Sequence, residues 1–499
     1  MLQARLSPAL AVRIGFAWLV FAAGHRGVSE AGARPWRVTP DHHGDAPTIA
    51  AALDSARAGD AVVLAPGVYS WTSEGAHVPS MLHLPPGITL QGEAGAAATI
   101  LDAEFQGRIL ECVDVGDAAI IEHLTFRNGL APPERIGPAM RGSTAAPDDS
   151  HGGAIDIRGA SAPTVRHCIF RDNHTNSGRS TGGAIAGTAA RIQDCDFAGN
   201  RAGIAGYTNG QGGAIFCDAT TVERCTFRDN HAWGWEAAAG GAIRCGSAAI
   251  LDCQFDANEA ACPGGPDGGA ISAAGSPRIE RCVFRDNVAD AHYFHANGGA
   301  VDAGSGTVRD CLFLRNVATC LRDPGRGGAL TGAEITVTGC VFVGNIARRT
   351  TPLGPGLGGA IFVRFPSTIE HCTLVANSGA TPDGTGGIHC EETAAVRAVV
   401  IVQTTPGRAC SGDITWSCCD LWGNALGNAL CGIDGGGNFS ADPEFCADPL
   451  TAGEIAVRTT SPCLNRGPAP CNQAGAGAAG CAASAVESRT WSSVKRLYR

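Results

Sequence analysis

The sequence predicts an all-β solenoid, and three observations carry that prediction. A two-part phrase recurs along the chain. Gly-Gly-Ala-Ile, or a close variant, begins at Gly152, Gly182, Gly212, Gly240, Gly268, Gly298, Gly327 and Gly358, with a worn copy at Gly386. Cys-x-Phe-x-x-Asn follows at Cys168, Cys195, Cys225, Cys253, Cys282, Cys311 and Cys340, with Leu374 replacing Phe in the copy at Cys372. Successive phrases start 28 to 31 residues apart, a period at which no unit buries its own apolar face and each must stack on its neighbours. Composition agrees: 69 Gly and 17% charged residues among 499 favour turn-rich β structure over helix. Within Cys-x-Phe the alternation of strand side chains points Cys and Phe inward.

From the N-terminus, residues 1–33 read as a secretory signal. Arg5 and Arg13 precede an apolar run from Ile14 to Ala23 that is too short to span a bilayer, and Ala31-Gly32-Ala33 offers a cleavage site. No later segment resembles a membrane span. The net charge of −10 argues against nucleic acid as a partner. Lys495 is the only lysine, so no mechanism that needs a lysine can operate in the repeat body.

The repeat body is assigned to residues 34–425. Phe is expected to stack on Phe from coil to coil at about 4.8 Å. Asn sits where the strand turns, and a column of Asn side chains there can bond along the axis and satisfy buried turn backbone. Gly-Gly supplies the backbone conformations needed to enter the next strand. Between Asn and the next Gly-Gly, 8 to 12 residues intervene, so loops of changing length belong to one side. The residue before each Cys points outward: His167, Asp194, Arg224, Asp252, Arg281, Asp310, Gly339 and His371. From Asp194 to Asp310 the sign alternates, which reads as cross-coil ion pairing rather than a polyanion site.

The 22 cysteines fall into two populations. One per coil faces inward as small core filler. Cys217 and Cys245 belong one above the other, and Cys262 and Cys320 lie in the variable loops, where a bridge would pin loop conformation. Cys410, Cys418, Cys419, Cys431, Cys446, Cys463, Cys471 and Cys481 form the second population, which suggests a disulfide-stapled cap over residues 426–481. Zinc is the rival, although the segment has no Cys-x-x-Cys pair and no His. Residues 482–499 read as a flexible tail.

These phrases resemble the right-handed parallel β-helix superfamily, the pectate-lyase-like fold, and look most like the repeats of chlamydial polymorphic outer-membrane proteins. Thr48-Ile49-Ala50-Ala51-Ala52-Leu53 and then Gly59-Asp60-Ala61-Val62-Val63-Leu64 look like the capping helix and first coil of secreted bacterial proteins of this fold. The resemblance covers roughly residues 45–425. It implies a right-handed parallel β-helix with an N-terminal capping helix and a Cys-rich C-terminal cap. The chlamydial proteins end in a membrane barrel; Ser484 to Arg499 is polar and basic with no barrel strands, so self-export by that route is not expected.

Function is less legible, because this fold hosts lyases, hydrolases, epimerases and adhesins. Lyase chemistry of the resembled kind needs clustered carboxylates for Ca²⁺ and an Arg base. The stripe after Gly-Gly-Ala-Ile reads Asp156, Ala186, Phe216, Arg244, Ser272, Asp302, Thr331, Phe362, and Asp156 lies five coils from Asp302, too far to share an ion. No cofactor or metal is therefore assigned, Ca²⁺ remaining without support. Hydrolases of this fold carry Gly-His-Gly and Arg-Ile-Lys; here His151-Gly152-Gly153, Arg191-Ile192-Gln193 and Arg278-Ile279-Glu280 depart from both. Asp148, Asp149 and His151 are the catalytic candidates that remain.

A binding or adhesion module is the leading expectation. The variable loops carry Tyr207, then His231, Trp233 and Trp235, then His292, Tyr293, Phe294 and His295, and exposed aromatic faces stack on sugar rings. The expected partner is a polysaccharide or cell-surface ligand, and the expected location extracellular. The alternatives are a polysaccharide lyase or hydrolase, or a passive rod whose dozen coils span about 60 Å.

Overall fold

The computed structural model describes residues 34–131, 149–204, 209–452, 455–464 and 471–481. The sequence-assigned signal, the tail, Asp148 and Tyr207 lie outside these residues.

Among the described residues most coils contribute to three parallel sheets. In one coil, Ile155–Arg158 and Thr164–Arg166 join the first face, Ile169–Arg171 the second and His174–Thr175 the third. The second face stacks 13 strands, one per coil. The first face holds 23 strands because most coils cross it in two short pieces. The third holds nine, its last strand, Leu353–Gly354, being antiparallel. The helix Ile49–Ser55 covers the first coils. Thr48 caps it by accepting from the Ala51 N–H, and Ile49, Ala52 and Leu53 turn their i, i+3, i+4 face into the stack.

The core consists of columns. Phe126, Phe170, Phe197, Phe227, Phe255, Phe284, Phe313 and Phe342 stack with ring centroids 4.7–5.0 Å apart and planes within 8°. Leu374, Ile401 and Leu421 continue the column in register. Beside it, Asn173, Asn200, Asn230, Asn258, Asn287, Asn316, Asn345 and Asn377 are buried. Each of the first seven donates its side-chain amide to the next at 2.9–3.0 Å. The repeat thiols form a third column, and the peptide N–H of Cys195 donates to the Cys225 sulfur at 3.5 Å.

The residue before each Cys turns the chain from the first face to the second in the left-handed region, with φ of 52° at Arg224 and Arg281 and 54° at Asp194. A side chain as long as Arg is unusual there. Arg224 grips Asp194 through two bonds of 2.8 and 2.9 Å, and Arg281 grips Asp252 through two of 2.7 Å. The alternating charges thus pair, but two by two; among the described residues Arg224 forms no ion pair with Asp252.

At the far end Cys410–Cys431, Cys418–Cys471 and Cys446–Cys481 are bonded. Cys419 and Cys463 of the same segment are free and buried. Cys419 extends the core thiol column, accepting the Val399 N–H, and Cys463 faces Asp420 at 3.5 Å. Cys262 and Cys320 are free, and register keeps them from bridging each other: Ala291 lies between them in the third sheet, so they are two coils apart.

Candidate functional site

Two regions gather polar and aromatic groups. The first is the corner where the chain enters the first face. Gly152, Gly182 and Gly212 turn there with φ of 50–66°, and a Cβ on any of them would strike the carbonyl three residues on. This sharp turn folds one ladder, His151–Thr181–Gln211–Ala239–Asp267–Asn297–Arg326, over another, Asp156–Ala186–Phe216–Arg244–Ser272–Asp302–Thr331–Phe362. The second ladder has the order read from the sequence but is not an open outward stripe: Asp156, Ala186, Ser272, Thr331 and Phe362 are buried under the corner.

At one end of the corner Arg108, fully buried, reaches Glu111 at 2.6 Å and Asp156 at 3.3 Å and donates to the carbonyls of His151 and Gly152. Burial pushes the Asp156 carboxyl up against the pull of Arg108. His151 Nδ1 lies 2.5 Å from the Thr181 hydroxyl, and the backbone of Asp149 lies in strand register with that of Arg179 in the four-stranded ribbon ahead of the corner. His151 is thus brought near Asp156 through Arg108. Farther along, burial and the nearby charge of Asp267 push the Asp302 carboxyl up to about 7, while Thr331 donates to it at 2.9 Å.

The second region is the outward face of the third sheet with the loops that follow it. Strand alternation sends the residues one and three positions after each Asn outward. One column therefore reads His174, Arg201, His231, Glu259, Val288, and the other Trp233, Ala261, Asp290, Thr319, Arg348. Glu259 accepts from the Trp233 indole at 3.3 Å and lies 3.2 Å from His231 Nδ1, and these contacts, the His231 one first, hold its carboxyl below the usual range. The Arg201 guanidinium lies over the Trp233 ring, 5.4 Å from its centroid. Burial and then the Glu259 charge push the Asp290 carboxyl up, with His292 and Arg348 pulling the other way.

The loops stack with their coils. Tyr293 N–H donates to the Pro263 carbonyl, and a Cβ on Gly264 would strike the Glu236 carbonyl. The loop at Gly264-Gly265 therefore stacks directly between its neighbours and carries no side chain at these two positions. Trp235 is 53% exposed on one side, and Tyr293 and Phe294 are 45% and 63% exposed on the other. Arg322 lies over the Tyr293 ring at 5.0 Å. His292 is exposed and packs edge-on to Tyr293, while His295 is half-buried and close to the Pro324 carbonyl at 3.2 Å. The structure thus places His231, Trp233, Trp235, His292, Tyr293 and Phe294 on the third sheet and its loops, with one intervening coil between the first three and the last three. Glu259 and Asp290 join them without a motif in the sequence to announce it. The one available signal is their place one and three residues after an Asn of the repeat, which marks both as outward-facing.

Parallel coils of this kind define a β-helix. The chain belongs to the right-handed β-helix family: the model described as "Right handed beta helix region" matches residues 87–284 and 153–342, which together span just over half of the chain. No curated protein matches it in sequence. Among solved structures it is similar to a point mutant of the PL6 family alginate lyase AlyGC, at 14% identity and a TM-score of 0.47 over 85% of this chain and 55% of that one. AlyGC itself matches at 14% identity and 0.42 over 82% and 54%. A mannuronic-acid-specific polysaccharide family 6 lyase from human gut microbiota matches at 14% and 0.41 over 77% and 86%. The chain thus spans about half the length of AlyGC.

Proposed function

We propose that the protein is an exported polysaccharide-binding β-helix whose ligand lies in the cleft over Ala261 and Gly264-Gly265. One observation carries this reading: three large aromatic side chains, Trp235, Tyr293 and Phe294, stand exposed on either side of a glycine-floored coil. The recurring Phe of the repeat body is buried, and while Phe105 and Phe365 are exposed singly elsewhere, Trp235, Tyr293 and Phe294 fall within two coils of one another. The walls stand two coils apart, about 9.6 Å by strand spacing. That width admits one flat ring between them at the separation the core Phe rings already use. Aromatic walls of this kind suit the apolar faces of pyranose rings. Three disulfides in the cap, with an N-terminal sequence that reads as a secretory signal, support an oxidising compartment outside the cytosol.

Affinity electrophoresis through gels containing laminarin, xylan, glucomannan or polygalacturonate tests the reading. Retardation by one of them, lost in the Trp235→Ala, Phe294→Ala double variant, supports it. Equal mobility in every gel rejects it.

A further inference from the structure

The structure assigns a second role to this cleft: Glu259 and Asp290 form a base and acid pair that hydrolyses the glycosidic bond of a neutral pyranose polysaccharide, an inference that rests on the polysaccharide reading above.

Position comes first. Glu259 follows Asn258 by one residue and Asp290 follows Asn287 by three, so both leave the same face of the third sheet from adjacent coils. One coil along the axis and two residues along the strand separate their Cα atoms by about 8 Å. A water-dependent single displacement needs carboxyl groups about 6.5–9.5 Å apart, and two side chains that rise side by side from the same sheet face carry the spacing of their Cα atoms toward that range. The residue between them in the register is Ala261, the smallest side chain in its column, which leaves the floor open.

The partners of the two carboxyls differ. Glu259 has the Trp233 indole and the His231 ring as donors. Asp290 is half-buried and has no hydrogen-bonding or ion-pair partner among the described residues. Donors that favour the charged form of one carboxyl, beside burial and a like charge that favour the protonated form of the other, set the two apart in the direction that glycoside cleavage requires. Nearby cations are already engaged: Arg201 covers the Trp233 ring, and Arg348 donates to Thr319 at 3.3 Å. Two carboxyls at the cleft and a net charge of −10 favour an uncharged chain over a polyanion.

The step balances without a cofactor. Asp290 gives its proton to the glycosidic oxygen as the C1–O bond breaks. Water attacks C1 from the opposite face, its oxygen forming the new bond and its proton passing to Glu259. The products are a reducing end of inverted configuration and a free hydroxyl, and solvent returns both carboxyls to their starting states.

The test incubates the full chain, Glu259→Gln and Asp290→Asn with laminarin, xylan, glucomannan and polygalacturonate. Reducing ends, unsaturated ends and the first anomer by proton NMR are scored, with the affinity gels run alongside. Expected are reducing ends from a neutral polysaccharide, inverted in the first product, and a loss of roughly 100-fold or more in each variant at unchanged melting temperature. Asp290→Glu and Glu259→Asp, which keep the charge and move the carboxyl, replace any variant that melts early, and a similar loss is expected of them. Gel retardation without product, full activity in a folded variant, or unsaturated ends would overturn the inference and leave binding standing. Neither retardation nor product overturns both.

Discussion

Asn230 donates to the Oδ1 of Asn258 at 2.9 Å and to the carbonyl of Phe197 at 3.1 Å, while its own Oδ1 accepts from the peptide and amide of Asn200. Every bonding capacity of this buried amide is used, and the pattern repeats along the column. Removing one member orphans groups on both sides. Asn258→Ala removes the acceptor of one Asn230 amide hydrogen and of the Asn230 peptide N–H, and the amide donor to the Phe227 carbonyl, and is expected to cost about 3 kcal/mol or more. The midpoint of urea unfolding followed by circular dichroism measures it.

The Phe column makes a graded prediction. Phe255 lies between Phe227 and Phe284 at 4.8 and 4.9 Å. Phe255→Ala opens a cavity between two rings and is expected to cost about 3–5 kcal/mol. Phe255→Leu costs less, because Leu374 already occupies the equivalent place after Phe342. Thermal melts of the two variants should separate clearly.

The thiols make a count. Sixteen cysteines are free and all are buried, and burial pushes the thiols of Cys195, Cys225, Cys282 and Cys340 well up. Native protein is expected to give almost no colour with Ellman's reagent at pH 8, and guanidinium-unfolded protein about sixteen equivalents. Early reaction of several thiols would contradict the packed column.

The two loop tryptophans should behave differently. Trp233 is half-buried and bonded to Glu259, whereas Trp235 stands out at 53% exposure. Trp233→Ala is expected to lower the melting temperature, and Trp235→Ala to leave it within a degree or so of the parent.

The residues that repeat are legible from the sequence alone. Phe, Cys and Asn recur because each coil must present the same shape to the next, so a column in space is a period in sequence. What failed to show is set by single coils or by closeness across the chain. The burial of Asp156 and Thr331 depends on how sharply the corner at Gly152 and Gly327 closes, which no period reveals. Glu259 and Asp290 occupy positions that Val288 and Thr319 fill in neighbouring coils, so they carry no repeated signal. The disulfide partners of Cys418 and Cys446 lie 53 and 35 residues away in a segment without repeats. Even the alternating charges before each Cys disclose their pairing without showing that Arg224 chooses Asp194.

Asp302 gives a pH signature. Its carboxyl is raised from the ordinary 3.8 to about 7 by burial and then Asp267, with Thr331, Arg364 and Arg244 opposing. Between these values the folded chain holds a proton that the unfolded chain has released, so this group's contribution to stability falls as pH rises through that window. Asp302→Asn is expected to gain stability relative to the parent from pH 4 to 7 and to hold that gain above. Paired urea titrations at pH 4, 6 and 8 read the difference; a constant gap would place Asp302 outside the titration.

Every coil offers the next one the same row of unpaired peptide groups, so nothing within the stack says where it should stop. The helix Ile49–Ser55 closes one end, and the bonded segment from Cys410 to Cys481 closes the other. These two ends act as chain terminators do in a polymerisation: they fix the length of an otherwise unlimited template. Stripping either one turns a discrete molecule into a seed, able to recruit further copies end to end into a fibre.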